Sequence, residues 1–183
     1  MAILPYRNAD DLPEEYRALL ARGTNGQRTV MHSLEGGKAY LAFGHWIRFK
    51  SRLDPRLREM IILQVSYLRK NEYELSHHIK IARDFEVVDS DFRAIVEATA
   101  GRPTTLAPSE AVALRAAREI VQDRQTSAAT NADILAHFTP ELVVELVLIA
   151  GFYTFVDVFL ASMRVDVEDA YRPYLAAMPF AEP

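Results

Sequence analysis

No run in the 183-residue sequence alternates apolar with polar residues over six or more positions, and only 7 residues are glycine. A half-buried strand needs that alternation, so a sheet has little to start from. Helix-start chemistry recurs instead. "DPRLREMIILQVSYLRK" opens with Asp54 as N-cap and Pro55 at the first helical position, and "TPELVVELVLIAGFYTFVDVFLASM" opens with Thr139 and Pro140. The cap oxygen takes up a free N–H of the first turn, and proline lacks an N–H that this turn leaves unpaired anyway. The chain reads as all-α.

The same signals divide the rest. "DDLPEEYRALLARG" reads as one helix, with Asp11 as cap, Pro13 and Glu14 in the first turn, and Gly23 beyond its end. "GTNGQRT" reads as a loop. "VMHSLEGG" reads as a short helix stopped by Gly36 and Gly37, with "KAYLAFGHWIRF" as the next. Asn71 caps a helix running to about Phe85. Asp89 or Ser90 opens another that Gly101 closes, and "GRPTTLAPSE" is the clearest internal break. "SEAVALRAAREIVQDR" and "SAATNADILAHF" are helical, and "YRPYLAAMPFAEP" reads as a surface arm. "LDPRLREMIILQVSYL" and "FTPELVVELVLIAGFY" rhyme in cap, proline, leucine and glutamate. That similarity fits two related helical halves, and it equally fits ordinary helix starts.

Length and composition suit one soluble domain, with 50% apolar and 25% charged residues. The domain is expected over 1–183, as an N-terminal extension (1–30), a core (31–165) and a C-terminal tail (166–183). A net charge of -4 without a basic block gives no nucleic-acid footprint. The N-terminus lacks the pattern of a secretory signal. Glu145 and Asp157 interrupt the longest apolar stretch, which points to a core helix over a membrane span. A cytoplasmic location is the expectation. The chain has no cysteine, so disulfides, thiolate metal sites and thiol redox catalysis are excluded.

The chemistry gathers in "NEYELSHHIKIA", residues 71–82. On a helix Glu74 and His78 share a face, which Ile81, Ala82 and Phe85 continue, while His77 lies near Tyr73, Lys80 and Asp84. His78 is expected to face the core and His77 a surface or subunit boundary. Glu59, on the preceding helix, shares a face with Ile62, Leu63 and Ser66. Burying a free carboxylate there costs several kcal/mol unless it is paired, and His78 or Tyr73 would relieve it. A buried carboxylate beside an imidazole is a proton-relay arrangement or a satisfied structural pair. Glu74 and His78 also have ligand spacing on one helix. However, the H-E-x-x-H pattern is missing, and His77 and His78 diverge by about 100 degrees. No metal is expected.

At these residues the chain resembles a known family. "LDPRLREMIILQVSYLRKNEYELSHHIKIARDFEVVDSDFRAI" is similar to the core of the carboxymuconolactone decarboxylase family, in the AhpD-like superfamily. The pattern is a proline-initiated helix with an internal Glu, a helix carrying a His, and an acidic turn opening a third helix. The resemblance spans most of residues 30–165 and is most specific over 53–95. It implies an AhpD-like helical fold. Peroxidase members carry Glu, then Cys-x-x-Cys-x-x-x-His. Here the aligned residues are Glu59, Asn71, Glu74 and His78, so both thiols are absent and dithiol peroxidase activity is not expected.

The Glu74–His78 pair resembles the decarboxylase-type branch, which acts on an unsaturated lactone acid without metal or organic cofactor. The resemblance thus implies a cofactor-independent lyase or proton-transfer enzyme acting on a small organic acid or lactone. Glu59, Glu74 and His78 would be catalytic. Arg56, Arg58 and Tyr73 are candidates for binding substrate by proximity in sequence. His45 and Trp46 join them because the family packs that helix over the site, although a core role suits both. The family resemblance and the apolar surplus of the last long helix imply a homo-oligomer, a trimer or hexamer, while the charge pattern and the acids in the apolar stretch give no nucleic-acid or membrane partner. Two other readings stay open: a catalytically silent oligomeric scaffold, and a peroxidase-related protein lacking the redox cysteines.

Overall fold

The computed structural model describes residues 1–180. Among them there is no strand, and the helices are α1 (Glu14–Arg17), α2 (Asn25–Val30), α3 (Leu34–Phe49), α4 (Pro55–Leu68), α5 (Glu72–Arg83), α6 (Asp89–Thr99), α7 (Pro108–Asp123), α8 (Ala128–His137) and α9 (Pro140–Met163). Short 3₁₀ turns cover Ala9–Asp11, Ala18–Leu20 and Arg172–Ala177. The all-α expectation holds.

Helix α4 is the axis of the fold. Every residue from Leu57 to Tyr67 is buried, because α5, α6, α7 and α9 pack around it. Its start follows the sequence signal: Asp54 accepts from the Leu57 N–H at 2.9 Å, with Pro55 in the first turn. Its end is a sharp reversal. Lys70 adopts φ 53°, and Asn71 N–H donates to the Ser66 carbonyl at 3.0 Å. Asn71 then caps α5 by accepting from Glu74 N–H at 3.1 Å. So short a connection forces α5 antiparallel against α4, which brings the middles of the two helices together.

Helix α9 is the other long wall and packs on α4 and α7. It is long and apolar enough by composition to cross a membrane. In this fold it buries Glu145, Leu146, Ile149, Tyr153, Val156 and Asp157 on one side. Glu145 is a structural acid, accepting from Ser51 Oγ and Arg52 N at 2.7 Å and Leu53 N at 3.0 Å, and so fixing the approach to α4. Val144, Val147, Leu148, Phe155 and Val158 remain exposed on its outer side.

Four segments differ from the sequence reading. The helix expected from Asp11 to Gly23 is broken into α1 between two 3₁₀ turns, with Pro13 outside it. "GTNGQRT" is helical as α2, since the Gly26 N–H donates to the Tyr73 hydroxyl at 2.8 Å, a tertiary bond invisible to local propensity. Gly36 and Gly37 do not end a helix, and α3 runs through both. The expected surface arm is docked: the Arg172–Ala177 turn packs on α5, and Met178 is buried. Residues 181–183 of that arm lie outside the described residues.

The two glycines of α3 differ in what a side chain would meet. A Cβ at Gly37 would stand 2.8 Å from Met31 Sδ and 2.9 Å from the Val30 carbonyl oxygen, a backbone atom that cannot yield. At Gly36 the nearest atom is the Ser33 hydroxyl, 2.7 Å away on a side chain free to rotate. Gly37→Ala is therefore expected to lower unfolding stability by about 1–3 kcal/mol through overpacking. Gly36→Ala should leave it unchanged or raise it by up to about 1 kcal/mol through helix propensity. Urea unfolding of the two variants checks the ranking, and equal stabilities would contradict it.

Candidate functional site

The hairpin of α4 and α5 sets Glu59 opposite His78. The His78 Nδ1–H donates to Glu59 Oε2 at 2.7 Å. On the other side of the ring, His78 Nε2 lies 3.2 Å from Glu74 Oε2, one turn earlier on α5. Glu59 turns its second oxygen to Arg58, 3.1 Å from Nε and 3.0 Å from Nη2. Arg58 Nη1 donates to the Arg48 carbonyl at 3.1 Å, and the guanidinium lies over the Phe85 ring. Two acids and two bases thus share a nearly dry space, with Glu59 2% and His78 8% exposed.

Burial alone would drive protons off His78 and onto Glu59. Pairing outweighs it in both cases. For His78, burial lowers the pKa, but Glu59 and then Glu74 raise it to about 9. For Glu59, burial raises the pKa, but His78 and then Arg58 bring it below the ordinary carboxylate value. At neutral pH His78 is therefore an imidazolium. The ring of Tyr153 meets it edge-on at 4.9 Å, and burial pushes the Tyr153 phenol well above its usual value.

Glu59, Glu74 and His78 line a cavity of about 630 Å³. Arg58, Tyr73 and His45 also line it, so these sequence candidates come together. Two do not. Arg56 is turned away to pair with Asp91 at 2.5 Å and with Glu110, bracing α4 against α6 and α7. Trp46 packs edge-on against Phe43 beside the core, away from the cavity. His45 sits at the exposed rim, against Phe49. The Tyr73 hydroxyl is occupied, accepting from Gly26 N–H and donating to Glu168 at 3.3 Å.

The expectation for His77 fails. It is 5% exposed, stacked between Tyr73 and Tyr171 with centroids 4.3 and 3.6 Å away, and its Nε2–H donates to Glu168 Oε2 at 2.8 Å. Glu168 also accepts from Asn25 N–H at 2.6 Å. The docked tail covers the polar stripe that the sequence assigned to a surface or subunit boundary. Sequence reasoning also missed Tyr40, Phe152 and Tyr153, which wall the cavity, and Arg48 and Gln27, which line it with a buried Nε and Oε1 lacking partners. Their only signal was an aromatic-rich pattern indistinguishable from core. No group of three or more His, Asp or Glu residues suited to a metal ion occurs among the described residues.

The His78 pKa, raised from 6.5 to about 9, has a stability consequence. Its contribution is complete below pH 6.5 and is lost as pH rises through 9. Glu59, with its pKa lowered, contributes above the ordinary carboxylate range and loses that contribution on acidification. Between pH 7 and 9 the wild type should lose stability more steeply than His78→Gln, by up to about 1.4 kcal/mol per pH unit. Urea unfolding at three pH values gives the slopes, and parallel slopes would contradict the assignment.

Comparison with known proteins agrees with this architecture. Residues 35–119 match the model of the carboxymuconolactone decarboxylase family. Comparison with curated proteins gives no match. Among solved structures, the fold is similar to an uncharacterized peroxidase-related protein with an alkylhydroperoxidase AhpD core from Ralstonia eutropha JMP134. The TM-score is 0.80 at 18% identity, over 98% of each chain. It is also similar to a variant of the debrominase Bmp8 in complex with 2,3,4-tribromopyrrole, with a TM-score of 0.82 at 17% identity, over 97% of this chain and 100% of that one. A peroxidase-related protein from Silicibacter sp. TM1040 matches with a TM-score of 0.75 at 19% identity, over 93% and 94%. At such identities the likeness establishes the fold. The chain, which has no cysteine, is thus similar over residues 35–119 to the carboxymuconolactone decarboxylase family, and its fold is AhpD-like.

Proposed function

We propose that this protein is a cofactor-independent lyase or proton-transfer enzyme acting on a small organic acid or lactone. The observation that carries the reading is His78, charged and held between Glu59 and Glu74 on the wall of a large cavity. Tyr40, Phe152 and Tyr153 offer flat apolar contact for an unsaturated ring. Arg22, Lys38 and Arg48 also line the cavity, and the unpartnered Arg48 Nε supplies a donor for a substrate carboxylate or oxyanion.

In a decarboxylation the C–C bond to the carboxylate breaks, carbon dioxide leaves, and the electron pair stays on the organic fragment as a dienolate. The His78 Nε2–H, with Glu74 swung aside, gives its proton to that carbon. Glu59 holds Nδ1–H and the ring orientation throughout. A proton drawn ultimately from solvent then restores the imidazolium. A second reading, a silent scaffold, is favoured by one observation: both ring nitrogens already have carboxylate partners in the resting protein.

Mutation separates the two readings. On any compound that is turned over, His78→Gln should lower kcat by about 100- to 10,000-fold while the fold persists. His77→Gln should leave kcat within a few-fold and instead weaken docking of the tail, seen as faster proteolysis beyond residue 166. Full turnover by a folded His78→Gln protein would rule out the proposed chemistry.

The exposed apolar side of α9 supports self-association. Val144, Val147, Leu148, Phe155 and Val158 form an uncovered stripe of a kind that monomers seldom expose. We propose a homo-oligomer, a trimer or hexamer, with α9 at the contact. Sedimentation should give a multiple of 20.7 kDa, and the double substitution Leu148→Glu, Phe155→Glu should give the single-chain mass. A wild type sedimenting as a single chain would overturn the oligomer.

A further inference from the structure

Asp157 is a buried acid that the chemistry above leaves unused. It is 2% exposed, and neither carboxyl oxygen has a hydrogen-bond partner. The Asn71 amide beside it donates to its main-chain carbonyl, at 3.4 Å. An ionised carboxylate is not sustained in such a place without a partner, and it takes up a proton instead.

Its position links two spaces. On α9, the neighbouring Val156 and Tyr153, one turn earlier, wall the cavity that holds His78. Asp157 lines a second cavity of about 370 Å³, whose walls include the exposed Arg69, Arg164 and Arg172. Tyr73, in the first turn of α5, lines both cavities. The Asn71 contact holds Asp157 against that turn, where Glu74 also sits.

The geometry points to Asp157 as a proton store for the Glu74–His78 pair. It is a neutral carboxylic acid that exchanges with water through the second cavity and acts on the site through Glu74. Asp157 is thus a positioning residue. The charged and titratable groups facing it are Tyr40 from α3, Glu72, Tyr73, Glu74 and His78 from α5, Arg69 and Lys70 from the end of α4, and Arg164, Asp166 and Arg172 across the second cavity. Asp166 is held by the Tyr6 hydroxyl and the chain's amino terminus. Burial, then Glu74, raise the Asp157 pKa to about 8, against the pull of Arg69 and His78.

The coupling to turnover rests on the lyase reading, and the storage does not. Each decarboxylation consumes one proton. His78 gives it to carbon, Asp157 returns one to His78 by way of Glu74, and water in the second cavity reprotonates Asp157.

The test uses the intact chain. The carboxyl carbon of Asp157, labelled with ¹³C and assigned by backbone connectivity, is followed by NMR from pH 5 to 10 in the wild type, so no variant needs to fold. The expected result is a protonated carboxyl at pH 7 that ionises on the alkaline side. An ionised carboxylate at pH 7 would overturn the store. In Asp157→Asn, His78 should lose its proton at a pH lower by about half a unit or more, because the charge that Asp157 gains on ionising is gone. An unchanged His78 titration would also overturn it. With a turned-over substrate, the alkaline limb of the kcat profile should shift in Asp157→Asn, and superimposable profiles would remove the coupling. Failure of the lyase reading appears separately, as a folded His78→Gln protein with full turnover.

Discussion

Four charged groups enclosed between α4, α5 and α9 constrain the rest of this molecule. Glu59 cannot lie 2% exposed on the central helix unless something neutralises it, and Arg58 and His78 do so from two sides. Each group alone would be costly to bury. Together, with two positive and two negative members, they become tolerable, and removing one partner leaves the others uncompensated. This dictates geometry elsewhere. The three-residue link between α4 and α5, the αL turn at Lys70 and the Asn71 cap all hold Glu59 and His78 at one level.

The same arrangement connects stability to chemistry. A histidine with acids on both ring nitrogens is a strong base, so it stays protonated where free imidazole would not. A poised proton beside an aromatic cavity rimmed with cations is useful only if it can be released and replaced. Glu74 lines this cavity, and Asp157 lines the smaller one behind it. The tail matters through His77: Tyr171 and Glu168 hold it against Tyr73.

Much of this was legible in the residues. Helices α4 to α9 announce themselves by caps, prolines and periodicity, and the Glu59–His78 pairing followed from asking what could neutralise a carboxylate on an apolar face. What was not legible depends on contacts distant in sequence. Helix α2 forms where the chain is polar and glycine-containing because the Tyr73 hydroxyl takes up the Gly26 N–H. The glycines of α3 look like stops, yet Gly37 serves close approach to Val30 and Met31. Arg56 sits two residues from Arg58, but on a helix that spacing points it toward Asp91 and Glu110. His77 reads as facing a surface or subunit boundary because nothing local shows that Glu168, 91 positions later, folds back over it.

The central claim is that Glu59 and His78 hold each other's charge inside the core. A double-mutant cycle on unfolding stability at neutral pH, using Glu59→Gln, His78→Gln and the pair, measures that coupling directly. A coupling of about 2 kcal/mol or more, with the double variant far less destabilised than the sum of the singles, is the predicted result. Additive losses would show that the two side chains are buried neighbours without mutual dependence, contradicting the account.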